Sequence, residues 1–280
     1  MKKYGLVIDS TVYLPKDLLK QEDIKVVSLH VTIDEETYKE VDLTREDIIE
    51  HRKQGAKFQT SAPAPGAFLQ AYQDMLKEYE HVFVIGLSKE LSGTFQSSLL
   101  ARNMLDDPNK VIILDTMSSA YGNELLVQKF LETRKKNLSL EELNKVMQDY
   151  IDHHTLMFTC ENLFSLVSGG RLSGARAMIG TVLRVKPIIE MKQGKLLHVK
   201  SERTYQKVFS FIKERIEATT EKEQELTFYL THTNSAKSGD LLKDFLKKHY
   251  PNASIIYTNL LGPVMTVHVG NKGFGLAWTY

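Results

Sequence analysis

Four clusters of hydroxyl and carboxyl side chains fall where predicted strands end: Asp9-Ser10-Thr11, Thr60-Ser61, Ser92-Gly93-Thr94, and Asp115-Thr116 followed by Ser118-Ser119. The Ser92 cluster is the most informative. It follows the apolar run Val82-Phe83-Val84-Ile85-Gly86-Leu87 and precedes a helix start, so free hydroxyls and unpaired backbone N–H groups gather beside a buried strand. Such donors are satisfied by a carboxylate or phosphate, which makes a small acidic ligand the expected guest. Taken singly, each cluster also fits an ordinary helix cap or turn. Their convergence would follow from an open parallel sheet, in which the carboxyl ends of the strands share one edge.

Two further segments carry candidate chemistry. In Val167-Ser168-Gly169-Gly170-Arg171-Leu172-Ser173-Gly174 the paired glycines allow backbone conformations closed to other residues, and the Arg171 guanidinium offers paired donors to an oxyanion. A glycine-terminated helix with a surface arginine explains the same residues equally well. Near the C-terminus, Gly262-Pro263-Val264-Met265-Thr266-Val267-His268-Val269-Gly270 puts His268 at the end of an apolar run, suited to bonding a carboxylate or acting as a base. His153, His154 and His232 lack companions at metal-ligand spacing, so no metal site is assigned.

The elements that position these residues follow from hydrophobic period. Tyr4–Asp9, Ile24–Thr32, Val82–Leu87 and Val111–Asp115 read as strands. Helices are expected through Phe68, Tyr72, Met75 and Tyr79, from Thr94 to Leu105, and from about Ser118 to Arg134. This alternation predicts a Rossmann-like, parallel-sheet N-terminal domain over residues 1–155. Over residues 156–280 a second α/β domain with a mixed or antiparallel sheet is expected, and the ligand site would lie at the interface of the two lobes. That second domain would hold a hairpin around Gln193-Gly194, a helix through Tyr205, Val208, Phe209, Ile212 and Ile216, and strand Leu226–Thr231. Helix Ala236–His249, strand Ser254–Asn259 and a last pair of strands, Val264–His268 and Phe274–Trp278, would complete it.

Composition narrows the function classes. A formal net charge of +1, from 36 basic and 35 acidic side chains, supplies no global field for nucleic acid or an anionic membrane. The single cysteine, Cys160, forms no internal disulfide, and the apolar stretch after Met1-Lys2-Lys3 is too short for a secretory signal, so a cytoplasmic location is expected. No apolar run approaches the roughly 20 residues of a membrane helix. There is no Walker loop, no G-x-G-x-x-G after the first strand, and no G-x-S-x-G, since Gly86-Leu87-Ser88-Lys89-Glu90 ends in glutamate.

Asp9-Ser10, Thr60-Ser61-x-Pro63, Ser92-Gly93-Thr94, Gly169-Gly170-Arg171-Leu172-Ser173, Lys186-Pro187-Ile188-Ile189 with Gly194, and Gly262-Pro263 through His268-Val269-Gly270 occur together and in this order. In that order and spacing the chain resembles the DegV family, bacterial fatty-acid-binding proteins, over nearly its whole length. In the FakB type of that family the bound acid is presented to a separate kinase subunit, which phosphorylates its carboxylate. The resemblance implies a long-chain fatty acid as ligand, with Thr60 or Ser61 and Ser92 bonding the carboxylate and His268 close by. It places Arg171 at the head-group opening, where the partner kinase and the transferred phosphate meet. It implies no catalytic residue, no metal and no cofactor, and a transient membrane contact suits a lipid carrier. The chain departs from the family at Ala62 and Ala64, where glutamine and serine often stand. Phe164, Leu166, Met178, Ile179, Val182 and Leu183 fit the lining of an acyl tunnel and an ordinary core equally well.

Two other readings compete. A serine hydrolase or esterase would use Ser92 as nucleophile, His268 as base and Asp9 or Asp115 as orienter. A sensor for another small anion would use the same turns without the greasy tunnel.

Overall fold

The computed structural model describes residues 2–160, 163–172, 185–221, 225–233, 236–258 and 261–280. The Lys2–Asp9 strand (β1) is apolar and buried from Tyr4 onward, with Leu6, Val7 and Ile8 fully enclosed. A strand buried on both faces belongs at the centre of a parallel sheet. β1 does so between Ile24–Val27 (β2) and Tyr79–Ile85 (β6), and Val111–Ile113 (β7) completes a four-stranded parallel sheet in the order β2-β1-β6-β7.

Helices cover both faces of this sheet. Pro65–Met75 (α3), opened by proline at its first turn, and Thr94–Arg102 (α4) pack Phe68, Tyr72 and Ala101 against Val7, Val82 and Val84. On the other face lie Ala120–Arg134 (α5) and Leu140–Asp152 (α6), the latter opened by a Ser139/Glu142 capping box, beside a shorter Lys16–Gln21 helix (α1). α5 is buried almost all round, as a helix must be when it is sandwiched. Leu126, Val127 and Phe130 face Leu6, Ile8 and Phe83 of the parallel sheet, whereas Ala120, Tyr121 and Leu125 face Leu156, Phe158 and Ala277 of a second sheet.

That second sheet has six strands: His154–Cys160 (β8), Lys186–Lys192 (β9), Lys195–Glu202 (β10), Thr227–Thr233 (β11), Ser254–Thr258 (β12) and Gly273–Thr279 (β13), in the order β10-β9-β8-β13-β11-β12. Only β11 and β12 run parallel. Its far face is closed by Tyr205–Thr219 (α8) and Ala236–His249 (α9) around Phe209, Phe228, Leu242 and Trp278. The hairpin expected at Gln193-Gly194 joins β9 to β10, both turn residues having positive φ (48° and 78°).

The described residues therefore form an α/β protein with one parallel sheet, one mixed sheet and a small antiparallel one, and four local expectations need correction. Ile24–Thr32 is not one strand: β2 ends at Val27, and His30–Ile33 (β3) joins a separate three-stranded antiparallel sheet with Glu36–Lys39 (β4) and Phe58–Ser61 (β5). Ser28-Leu29 turns between them, Leu29 N–H donating to Ser10 Oγ at 2.9 Å. Val264–His268 is not a strand but part of a helix, Pro263–Val269 (α10), because Pro263 takes the first helical position and Val264 and Val267 bury one face. Tyr79 opens β6 rather than extending α3. The periodicity reading also passed over α6 and β8, although Ser139-x-x-Glu142 marks the helix start.

Candidate functional site

Thr60 and Ser61 end β5, whose register against β3 pairs Thr60 with Val31 and Ser61 with His30. They therefore do not follow a strand of the parallel sheet. They reach its edge because the chain continues through Ala62-Pro63 into α3, and Ser97 Oγ of α4 donates to the Pro63 carbonyl. This bond draws the Thr60–Pro63 segment against the Ser92-Gly93 turn, where a Cβ on Gly93 would stand 3.9 Å from the Ala62 methyl. Ser92 Oγ lies 2.9 Å from Thr94 Oγ1 and accepts the Thr94 N–H at 3.2 Å, a local bond that opens α4.

From the other end of the chain, α10 brings His268 Nε2 to 2.9 Å from Thr60 Oγ1. Burial, then the positive charges of Arg171 and Arg52, push the His268 ring down to about 4. The imidazole is thus neutral at neutral pH and offers a hydrogen bond rather than a charge.

Phe164–Ser168 (α7) ends at Gly170, whose φ of +74° is open to glycine, and Arg171 and Leu172 N–H both return to the Leu166 carbonyl. Arg171 leaves this turn with Nη1 on the Gly169 carbonyl and Nε 3.4 Å from the Leu91 carbonyl. A Cβ on Gly169 would stand 3.5 Å from both Arg171 Nη1 and His268 Nδ1, so the glycine admits the two side chains side by side.

Thr60, Ser61, Ser92, Arg171 and His268 all line one cavity of about 980 Å³, counting its open mouth. The same cavity is lined by the apolar Leu87, Leu91, Leu156, Phe158, Leu261 and Met265, by Gly273 and Gly275 of β13, and by the polar Thr159, Thr231, His232 and Thr233. Arg171 is the only Lys, Arg, Asp or Glu among the described lining residues. The cavity thus brings one cationic side chain and several hydroxyls together with apolar side chains.

The polar turns do not all converge. Asp9 is fully buried and structural: its carboxylate accepts the Leu87 N–H at 2.6 Å and the Thr11 N–H at 2.9 Å. Asp115 pairs with Lys89 at 3.1 Å, and Thr116 Oγ1 donates to the Gly86 carbonyl. From the fourth turn only Ser119 reaches the cavity, at the start of α5, where its side chain makes no capping bond. Among the described residues the hydrogen bonds run from Thr60 to His268, from Ser92 to Thr94 and from Asp9 to Leu87 and Thr11, and none of them links Ser92, His268 and Asp9 or Asp115 into a relay. Leu166 lines the cavity; Phe164 is 53% exposed and points elsewhere. Met178, Ile179, Val182 and Leu183, with Ser173 and Gly174, lie outside the described residues. Sequence reasoning missed Tyr121, Thr231, Thr233 and the two β13 glycines, which carry no local signal of a cavity wall.

The fold and site define an α/β protein with a cavity lined by apolar side chains, hydroxyls and a single arginine among its described residues. The family model described as "Uncharacterised protein, DegV family" matches residues 3–280, and the chain belongs to that family. A DegV domain-containing protein of Listeria innocua is 30% identical over 99% of each chain, as is protein DegV of Bacillus subtilis. Among solved structures, a DegV family protein from Thermus thermophilus, described by its fatty acid binding, superposes with a TM-score of 0.92 at 28% identity over 99% of each chain. DegV from Bacillus subtilis, described as a fatty acid binding protein, superposes with a TM-score of 0.87 at 28% identity over 100% of each chain.

Proposed function

We propose that the cavity holds a long-chain fatty acid, its carboxylate bonded by Thr60, Ser61, Ser92 and His268, with Arg171 at the opening, and that the protein presents this acid to a partner kinase for phosphorylation to acyl phosphate. The carrying observation is that these polar side chains line one cavity together with apolar side chains such as Leu87, Leu156, Phe158 and Leu261, with no other Lys, Arg, Asp or Glu among its described lining residues. The two solved relatives described by fatty acid binding support the same ligand class.

The energetics agree. Each buried methylene contributes about 0.8 kcal/mol. Hydrogen bonds to the carboxylate contribute about 1.5–3 kcal/mol each and offset its removal from water. A neutral His268 suits this task, since Arg171 already supplies the charge. In this reading residues 1–155 and 156–280 are two units that meet at the cavity, and no residue of the chain is catalytic.

Denaturing mass spectrometry of the purified protein is expected to release a fatty acid. No released acid, together with no thermal stabilisation by added palmitate or oleate, overturns the reading. Labelling of Ser92 by a fluorophosphonate would favour a hydrolase instead. Phosphorylation of the carried acid by a bacterial fatty acid kinase subunit tests the presentation step separately.

A further inference from the structure

His268 rides on α10, a helix of only seven residues, and isolated helices shorter than about 12 residues are marginal in water. Its position is therefore decided by what holds its ends. Gly262, the N-cap, has no side chain to cap with. Instead the Val264 N–H donates to Glu40 Oε1 at 2.9 Å and the Met265 N–H to Tyr13 Oη at 3.3 Å. Tyr13 Oη itself donates to Glu40 Oε1 at 2.8 Å, and Ser10 Oγ donates to the other carboxylate oxygen. Glu40 is 2% exposed, and the Tyr13 ring occupies the space a Cβ on Gly262 would need. At the opposite end Arg52 Nη2 donates to the Val267 carbonyl at 2.9 Å, its guanidinium lying over the Phe58 ring. A carboxyl that accepts at the N-terminus and a guanidinium that donates at the C-terminus each meet a backbone group the short helix leaves unpaired.

We propose that Glu40 and Arg52, with Tyr13, form a two-ended clamp on α10 that sets His268 against Thr60. Glu40 opens a short 3-10 turn (Glu40–Asp42), and Arg52 lies in the helix Arg45–Lys53 (α2), so one stretch of chain grips both ends of the helix. None of the three is among the described cavity-lining residues. They act through α10 and are positioning residues. The consequence for ligand affinity rests on the proposed carboxylate site; the placement of His268 does not.

The test uses the full chain with ¹⁵N-labelled histidine, unliganded and with added palmitate. Glu40→Ala is expected to move the His268 Nε2 resonance away from its Thr60-bonded position and to weaken palmitate binding about tenfold or more, the loss of one charge-assisted bond. Glu40→Gln keeps an oxygen for the Val264 N–H and the Tyr13 hydroxyl, and should retain the resonance and stay within about threefold of the wild-type affinity. Arg52→Ala is expected to move the same resonance and, by removing one of the two cations facing the ring (Arg171 is the other), to raise the His268 titration midpoint. Leu246→Ala, a fully buried change on the distant face of the six-stranded sheet, should lower the melting temperature without moving His268.

The proposal is overturned by an unmoved His268 resonance in Glu40→Ala, by equal damage from Glu40→Gln, or by an equal shift in Leu246→Ala. Should Glu40→Ala not fold, Tyr13→Phe removes one strut of the same clamp and is judged by the same resonance. If the wild type binds no palmitate the functional reading fails, while the unliganded spectra still decide the clamp.

Discussion

Thr60 and His268 are 208 positions apart yet share a 2.9 Å hydrogen bond, and that bond makes a sharp expectation. Thr60→Val removes the hydroxyl at nearly constant volume and leaves the His268 ring without its partner. Fatty acid affinity should fall about tenfold to a hundredfold, since a hydrogen bond to a charged group contributes about 1.5–3 kcal/mol. Displacement of a fluorescent fatty acid measures it, and unchanged affinity would remove Thr60 from the head-group site. With its ring held down to about 4 by burial and two arginines, His268 should titrate by NMR far below the ordinary 6.5. The unliganded protein should accordingly show no His268 step between pH 6 and 8; a midpoint near 6.5 would mean that the ring is solvated. Asp9 teaches the reverse lesson: it has the right type and the right place after a strand, but its acceptors serve Thr11 and Leu87 rather than a ligand.

Among the elements, the α7 turn and β13 are the most exacting. Gly170 has φ +74° and nothing within 4 Å of an added Cβ, so Gly170→Ala should cost about 1 kcal/mol through backbone strain alone. Urea denaturation would show it, and an increase in stability would contradict the assigned turn. Gly275 is different, because its Cβ would collide with the Tyr121 hydroxyl, which donates to the Met157 carbonyl at 3.2 Å. Gly275→Ala should therefore displace Tyr121 at a cost of about 1–3 kcal/mol and narrow the cavity. A wild-type melting curve with unchanged ligand preference would refute that account. β5 shows why element type matters less than placement: its hydroxyls reach the cavity from a small antiparallel sheet, not from the parallel one.

For the whole molecule, the telling residue is Glu124, buried on α5 between the two sheets. Burial raises its carboxyl to about 8, against an ordinary value near 4.5. Glu40 is raised to about 7 for the same reason, with bonds from Ser10, Val264 and Tyr13 pulling the other way. A raised pKa means that the folded state holds a proton the unfolded chain has lost, so stability falls as pH rises toward the folded value. His268 has the opposite sign, its depressed pKa adding stability as pH rises from about 4 to 6.5, and that gain is complete above 6.5. Between pH 7 and 8 the Glu124 contribution remains, with a slope of up to about 1.4 kcal/mol per pH unit. Denaturation midpoints should fall over that window in the wild type and flatten in Glu124→Gln. An equal slope in both proteins would mean that Glu124 is ionised in the fold.

The sequence by itself determined the order of most strands and helices, because apolar period and capping residues report on which faces each segment can bury. It also marked five polar residues, Thr60, Ser61, Ser92, Arg171 and His268, since their types suit an anion. Only the tertiary structure decided that these line one cavity, that Asp9 and Asp115 do not, and that Val264–His268 coils into a helix. A cavity wall and a hydrogen bond across 208 positions are properties of packing between distant segments, and local residue patterns carry no record of them.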